Sequence, residues 1–470
     1  MTTPGSLRLT LPFLPVAGAL FCIQLDFFSL ALALPTIATD LGSTTTDLQW
    51  LLSGYMIALG SLLIPAARSG DVLGRRRVLL LGTTVFGATS LVCGLASAVP
   101  VLIGARVVQG LGAAMIMPTA LALVTNATTE DVRPRITGAL LGLAGVGTAL
   151  GPVVGGVLAS EVSWRWVFLL NVPIAALAFW GVLRLPGSRD ESGPRTLRQL
   201  DWWGVVSVVA GLALVSVAID DVGVEGWTSP VTVVPLVAGL ALLAAFAVVE
   251  TRTAAPLVRP SLVRDRVFLV LAVAGTIANI GTCVYIVLAT LELQDVRGYS
   301  AAAAGLVFFA SSLGLALCGP LSGPLSVHFP AGIVMGVAVL LAAPALALLA
   351  VAGPLPVYVV ALTLCGLTTG MGYSLGQVAV QNVLPPARSA EVTSVLLTVL
   401  ISVGGVGVVA ATAVVEAVGG GRATTDGIEL VLGVLAAVLL VAGVVTLVAA
   451  ARRLRAAAAS GRPGRSRLPT

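Results

Sequence analysis

The sequence predicts an all-α integral membrane protein, built as two six-helix bundles with two extra helices between them, about fourteen spans in all. Three observations predict it. Hydrophobic residues fill 57% of 470 positions and charged residues only 10%, whereas soluble domains carry about a quarter charged residues. A soluble chain this apolar would have nowhere to put its greasy surface, so the bilayer is its solvent. Apolar runs recur from Leu11 to Ala451, broken by short polar stretches. The arginines, finally, sort to alternate turns between those runs.

A helix needs about 20 apolar residues to cross the hydrocarbon layer. That window places spans near 11–36, 48–66, 78–97, 101–124, 135–158, 166–185 and 202–219. Seven more fall near 229–249, 267–290, 301–323, 331–352, 357–380, 392–415 and 428–450. With the N-terminus inside, 22 arginines face inward; Arg165, Arg297 and Arg422 face outward, and Arg106 lies within a span. Basic residues collect on the cytoplasmic side of membrane proteins, so the expected topology puts both termini in the cytoplasm, with an even number of spans. The chain contains no lysine, and its net charge of +5 comes from arginines between spans and in the tail. This distribution argues for topology and against a nucleic-acid partner.

The polar segment near 186–201 sets off the first six spans. The expected units are residues 1–185, a six-helix bundle; 186–266, linkers and an inserted helix pair; 267–450, a second bundle; and 451–470, a basic tail. Two parallel repeats around an insertion are a common transporter plan. Cys22, Cys93, Cys283, Cys318 and Cys365 all fall in apolar runs with no metal-ligand spacing, so buried free thiols and no metal are expected. No Walker A, G-x-S-x-G or H-E-x-x-H motif is present, which disfavours an ATP-driven pump or a polytopic hydrolase.

Asp26 is the one carboxylate well inside a predicted span, and ionisable groups there are functional candidates by default. At about 1.5 Å per residue, Asp26 and Arg106 share a depth in the first half. An arginine partner favours the ionised carboxylate and desolvation the neutral one, so changing hydration of Asp26 could load and release a proton. The alternative is a pair that only fastens two helices. Gly147, Gly151 and Gly155 form a stripe at four-residue spacing, on which another helix can approach closely. Pro152 removes one helical hydrogen bond and allows a bend. Tyr55, Gln109, Asn279, Tyr285, Ser394 and Thr398 are candidates for a central cavity or for glue between helices.

Four segments carry a family resemblance. ARSGDVLGRRR (Ala67 to Arg77) places Asp71, Gly74, Arg75 and Arg76 as in a G-x-L-a-D-r-x-G-r-r signature, although Ala67 and Ser69 replace the usual Gly and Leu. RVVQGLGAAMIMP (Arg106 to Pro118) combines an intramembrane Arg with Gln-Gly and a later Pro. GTALGPVVGG (Gly147 to Gly156) and QLDFFSLALALP (Gln24 to Pro35) complete the set, the last with Ala31 where an Asn is usual. WRWVFLLNVP (Trp164 to Pro173) and the central DWWG (Asp201 to Gly204) agree. Together they resemble the major facilitator superfamily, in its fourteen-helix drug:proton antiporter branch. The resemblance implies a major facilitator fold in the inner (plasma) membrane and no enzyme activity. It also implies export of a small hydrophobic compound in exchange for protons, by a monomer that needs no cofactor beyond the proton motive force; the single deep carboxylate, with little capacity to neutralise a multivalent cation, points to a neutral or monocationic substrate. It assigns proton coupling to Asp26 and Arg106, and a conformational switch to Asp71, Gly74, Arg75 and Arg76. The antiporter motif then comprises Gly147, Gly151, Pro152, Gly155 and Gly156. A metabolite porter of the same fold, or a non-transporting sensor, are the competing expectations.

Overall fold

A computed structural model describes residues 11–44, 47–129, 132–186, 201–253, 266–383, 389–420 and 423–459. Among the described residues there is no strand, and fourteen helices are long and apolar enough to cross a membrane. These are α1 (Leu14–Leu41), α2 (Trp50–Leu73), α3 (Arg75–Leu95), α4 (Val99–Ala127), α5 (Arg133–Val157), α6 (Arg165–Val182) and α7 (Trp202–Glu225). They continue as α8 (Pro230–Arg252), α9 (Arg266–Leu291), α10 (Ala301–His328), α11 (Ala331–Val351), α12 (Leu355–Val383), α13 (Ser389–Gly419) and α14 (Thr425–Ala459). Every expected span corresponds to one helix, including the two pairs with very short connections at 96–98 and 352–354.

The first six helices and the last six pack by one scheme. In the first half α1 lies against α5 and α6, α4 against α2 and α3, and α3 against α6. In the second, α9 lies against α13 and α14, α12 against α10 and α11, and α11 against α14. The halves meet along two seams, α2 on α13 and α5 on α10, related by the same correspondence. The inserted α7 and α8 pair with each other, and α7 lies on both α13 and α2. Of the apolar window of α2, 83% is buried, against 11% for α8, which places α2 at the centre and α8 at the rim facing lipid.

The end of the bundle carrying Leu14, Gly74 and Arg452 is termed the basic end. At the opposite end, one arginine in each half fastens the loops there. Arg165 pairs with Asp40 at 2.9 Å and donates to the carbonyl of Ala96. Arg297 pairs with Glu292 at 2.9 Å and donates to the carbonyls of Ala352 and Gly353. Here α5 and α9 each finish in a π-helical turn, Leu158–Val162 and Glu292–Val296. The halves grip each other at these turns. Ala302 N–H donates to Ser160 Oγ, and Gln294 Nε2 donates to the carbonyl of Leu32, both at 2.9 Å. Toward the basic end one face of α5 is open: Gly138, Gly142 and Gly145 have open space where a Cβ would lie.

Candidate functional site

Asp26 sits midway along α1 and Arg106 in the first third of α4, both with no solvent exposure. Arg106 Nη1 lies 2.5 Å from Asp26 Oδ2. Two amides complete the shell of the carboxylate: Asn171 Nδ2 donates to Oδ1 at 2.8 Å and Gln109 Nε2 at 3.2 Å. All three partners present N–H donors to the carboxylate oxygens. The guanidinium is held in turn by the carbonyl of Leu51 at 2.9 Å and by Gln109 Oε1 at 2.7 Å. Its face lies 4.2 Å from the centre of the Tyr55 ring, a cation–π contact. Gln109 also donates to Ser90 at 2.7 Å. Five helices thus contribute: α1, α2, α3, α4 and α6. Arg106 and Gln109 reach the carboxylate together because residues three apart share a helix face.

For several of the residues expected as cavity wall or interhelical glue, the structure shows contacts between helices. Gln109 has no exposure and Tyr55 only 1%, and both belong to the Asp26 network. Tyr285 is equally buried, its hydroxyl 2.9 Å from that of Ser311 within the second half. Asn279 donates to the carbonyl of Leu400 on α13. Thr398 lies beside the seam, its carbonyl near Gly60 of α2 and its hydroxyl buried without a protein partner. The side chain of Ser394 lies outside the described residues. Asn171 and Ser90 were not anticipated, although Asn171 stands inside the WRWVFLLNVP segment.

Beyond the expected spans, two further carboxylates lie near helix ends. α7 runs six residues past its expected end, to Glu225, and so includes Asp220. Asp220 accepts from Gln49 Nε2 at 2.7 Å and from Trp50 Nε1 at 2.9 Å, tying the inserted pair to the start of α2. Glu292 likewise lies in the π-helical turn that prolongs α9.

The glycine stripe of α5 faces α1. A Cβ on Gly147 would lie 2.8 Å from the carbonyl of Phe21, one on Gly151 2.5 Å from Phe28 Cβ, and one on Gly155 would overlap the backbone of Ser29. Ser29 Oγ donates to the carbonyl of Gly151, and Gln24 Nε2 to Thr148 Oγ1, binding α1 to α5. Pro152 and Gly156 lie on the flank toward the other half: Gly156 abuts Ala301, and the carbonyl of Pro152 abuts Gly305. At the basic end, Gly74 (φ 100°) joins α2 to α3 in a conformation that favours glycine. Across it Arg75 pairs with Asp71 at 3.0 Å and reaches the carbonyl of Ala122, while Arg76 donates to the carbonyl of Leu183 at 2.5 Å. These contacts lie within the first half.

Helical repeats around a buried ion pair, with paired seams between halves, define a polytopic membrane carrier architecture. The chain belongs to the Major Facilitator Superfamily, whose family model matches residues 16–303 and 267–469. It is 38% identical over 310 residues to a cephamycin export protein of Amycolatopsis lactamdurans, covering 64% of this chain and 62% of that one. It is 36% identical over 307 residues to a puromycin resistance protein of Streptomyces alboniger, covering 64% and 59%. A multidrug resistance protein of Mycobacterium tuberculosis is 36% identical over 310 residues, covering 65% and 57%. The matches thus span less than two thirds of these relatives' length. Among solved structures, a peptide transporter in complex with sulfate superposes with a TM-score of 0.69 at 17% identity, covering 94% of each chain. A nucleoside transporter gives 0.65 at 14% identity, covering 93% of this chain and 99% of that one. At these identities the likeness concerns the fold.

Proposed function

We propose that the protein is a proton-coupled exporter of small hydrophobic, neutral or monocationic compounds, working by alternating access in the inner membrane with its basic end in the cytoplasm. The observation that carries the proposal is the Asp26 network: an ion pair with no solvent exposure, enclosed by one half of a two-half carrier. A buried charge is costly unless paired, and such groups in membrane segments serve ion or proton pathways. Export and resistance functions of the named relatives favour outward movement of an antibiotic-like compound. The arginine bias supports the orientation. The moving units are the halves 1–185 and 267–450; the inserted pair and the basic tail accompany them. Asp26 binds the coupled proton, Arg106 sets its affinity, and the Asp71–Arg75 pair beside Gly74 biases the conformational equilibrium. The protein acts as a monomer, and the proton motive force replaces any cofactor; one proton crossing 100 mV supplies about 2.3 kcal/mol.

The test is Asp26→Asn in proteoliposomes. Substrate movement driven by a pH gradient should vanish while the variant remains folded and inserted. Undiminished pH-driven transport in that variant would remove Asp26 from the mechanism. A metabolite porter of the same fold would move nutrients instead, which substrate profiling of the same vesicles separates.

A further inference from the structure

The two seams between the halves close to different depths. Gly60 on α2 stands about 20 Å from the basic end, at about 1.5 Å per residue. A Cβ there would lie 2.6 Å from the Ser402 amide nitrogen and 3.1 Å from the carbonyl of Thr398, both on α13. The hydroxyls of Ser61 and Ser402 meet beside it at 3.4 Å. Gly145 on α5 stands at nearly the same depth, about 18 Å from the basic end. A Cβ there would touch nothing, and the same holds at Gly142 and Gly138, one and two turns nearer that end. Residues at such spacings keep one side of a helix, so these glycines share a face with Pro152 and Gly156. That face meets α10 further along, where Gly156 abuts Ala301 and Pro152 abuts Gly305. It is turned away from the stripe of Gly147, Gly151 and Gly155, which meets α1. At mid-depth, therefore, the α5–α10 seam has parted where the α2–α13 seam is still shut.

Seams related by one packing scheme should part alike unless something else holds one of them. The inserted pair is placed to do so. α7 lies on both α2 and α13 and so crosses their seam, and its Asp220 accepts from Gln49 and Trp50 at the start of α2. Among the described residues, no helix from outside the two halves packs on α5 or α10. Helices in hydrocarbon hold together by close packing and hydrogen bonds, so parting α2 from α13 also means stripping α7 from one of them. We propose that α7 is a splint on the α2–α13 seam, fastened to the first half through Asp220. The halves then open toward the basic end on the α5–α10 side alone, with the splinted seam as the hinge. The splint rests on the alternation of the halves proposed above, and on no particular substrate.

Double electron–electron resonance on the full chain in nanodiscs tests it. Labels at Gly138→Cys and Leu321→Cys span the α5–α10 seam; labels at Leu73→Cys and Val399→Cys span the α2–α13 seam. These four positions are exposed and the native cysteines are buried, so the labels go to the introduced thiols. The distance distribution across α5–α10 should be several-fold wider than that across α2–α13. Wide and equal spreads would overturn the splint alone, whereas narrow spreads at both seams would overturn the alternation and the splint with it. Asp220→Leu removes the tether to Gln49 and Trp50. It should widen the α2–α13 distribution toward that of α5–α10, and Trp50→Phe, which keeps the aromatic ring, should widen it less. An unchanged α2–α13 width in both variants would overturn the role of α7.

Discussion

The two halves of the molecule share one packing scheme and differ in what they enclose. The first half closes five helices around a carboxylate, a guanidinium and two amides. The second closes the same arrangement around hydroxyls: Thr282 with Thr369 and Tyr285 with Ser311, each pair 2.9 Å apart. Its buried carboxylate among the described residues, Glu292, sits at the end of α9 opposite the basic end, where Arg297 pairs with it. One half is therefore sensitive to electrostatics at its centre, and the other is a neutral body of similar shape. Under the proposed mechanism, a proton would act on one half alone while the seams between the halves stay geometrically matched.

The contrast can be broken most sharply at Arg106. Arg106→Leu strands a buried carboxylate and should cost about 3–5 kcal/mol, read as a large fall in thermal stability in nanodiscs. Adding Asp26→Asn should recover most of that loss, because the stranded charge is gone; no recovery would show that Arg106 matters through packing alone. Next comes the α1–α5 contact. Gly155→Ala drives a Cβ into the Ser29 backbone, which cannot rotate away, at about 1–3 kcal/mol. Gly142→Ala on the same helix meets open space and should stay within about 0.5 kcal/mol of the native protein. Equal melting temperatures for the two variants would contradict the tight seam. Asp220→Asn retains one acceptor for two donors and should cost about 1.5 kcal/mol, with faster proteolysis at the inserted pair as its signature. The smallest effect belongs to the neutral half: Thr282→Val removes one hydroxyl contact, worth about 1 kcal/mol, and should leave proton coupling untouched.

Most of this architecture was legible in the sequence. Bilayer thickness imposes a length on every span, and the alternation of arginines fixes their parity, so fourteen helices follow without tertiary information. Asp26 and Arg106 were legible for a related reason: charge is so costly in hydrocarbon that two charges at one depth in one half must meet. The neutral polar residues were not. Asn171 and Ser90 resemble any polar residue in a membrane helix, because serine and asparagine also serve as ordinary contacts between helices. For Gln109 and Tyr55 the sequence leaves cavity wall and interhelical contact open, because spacing along a helix gives a face but not the neighbour that face meets. Asp220 and Glu292 were missed at the edges of hydrophobic windows, where helices continue several residues past the apolar run.

The two π-helical turns, at Leu158–Val162 and Glu292–Val296, carry a consequence for how the halves could part. Each turn holds one more residue than an α-helical turn would, and one residue corresponds to about 100° of rotation around a helix axis. If either turn tightened to α-helix, the side chains beyond it would swing by that angle about the axis. Ser160 would leave the Ala302 amide, or Gln294 the Leu32 carbonyl, without any need to tilt the rest of the helix. A grip of this kind would be released by a change of winding number rather than by distance.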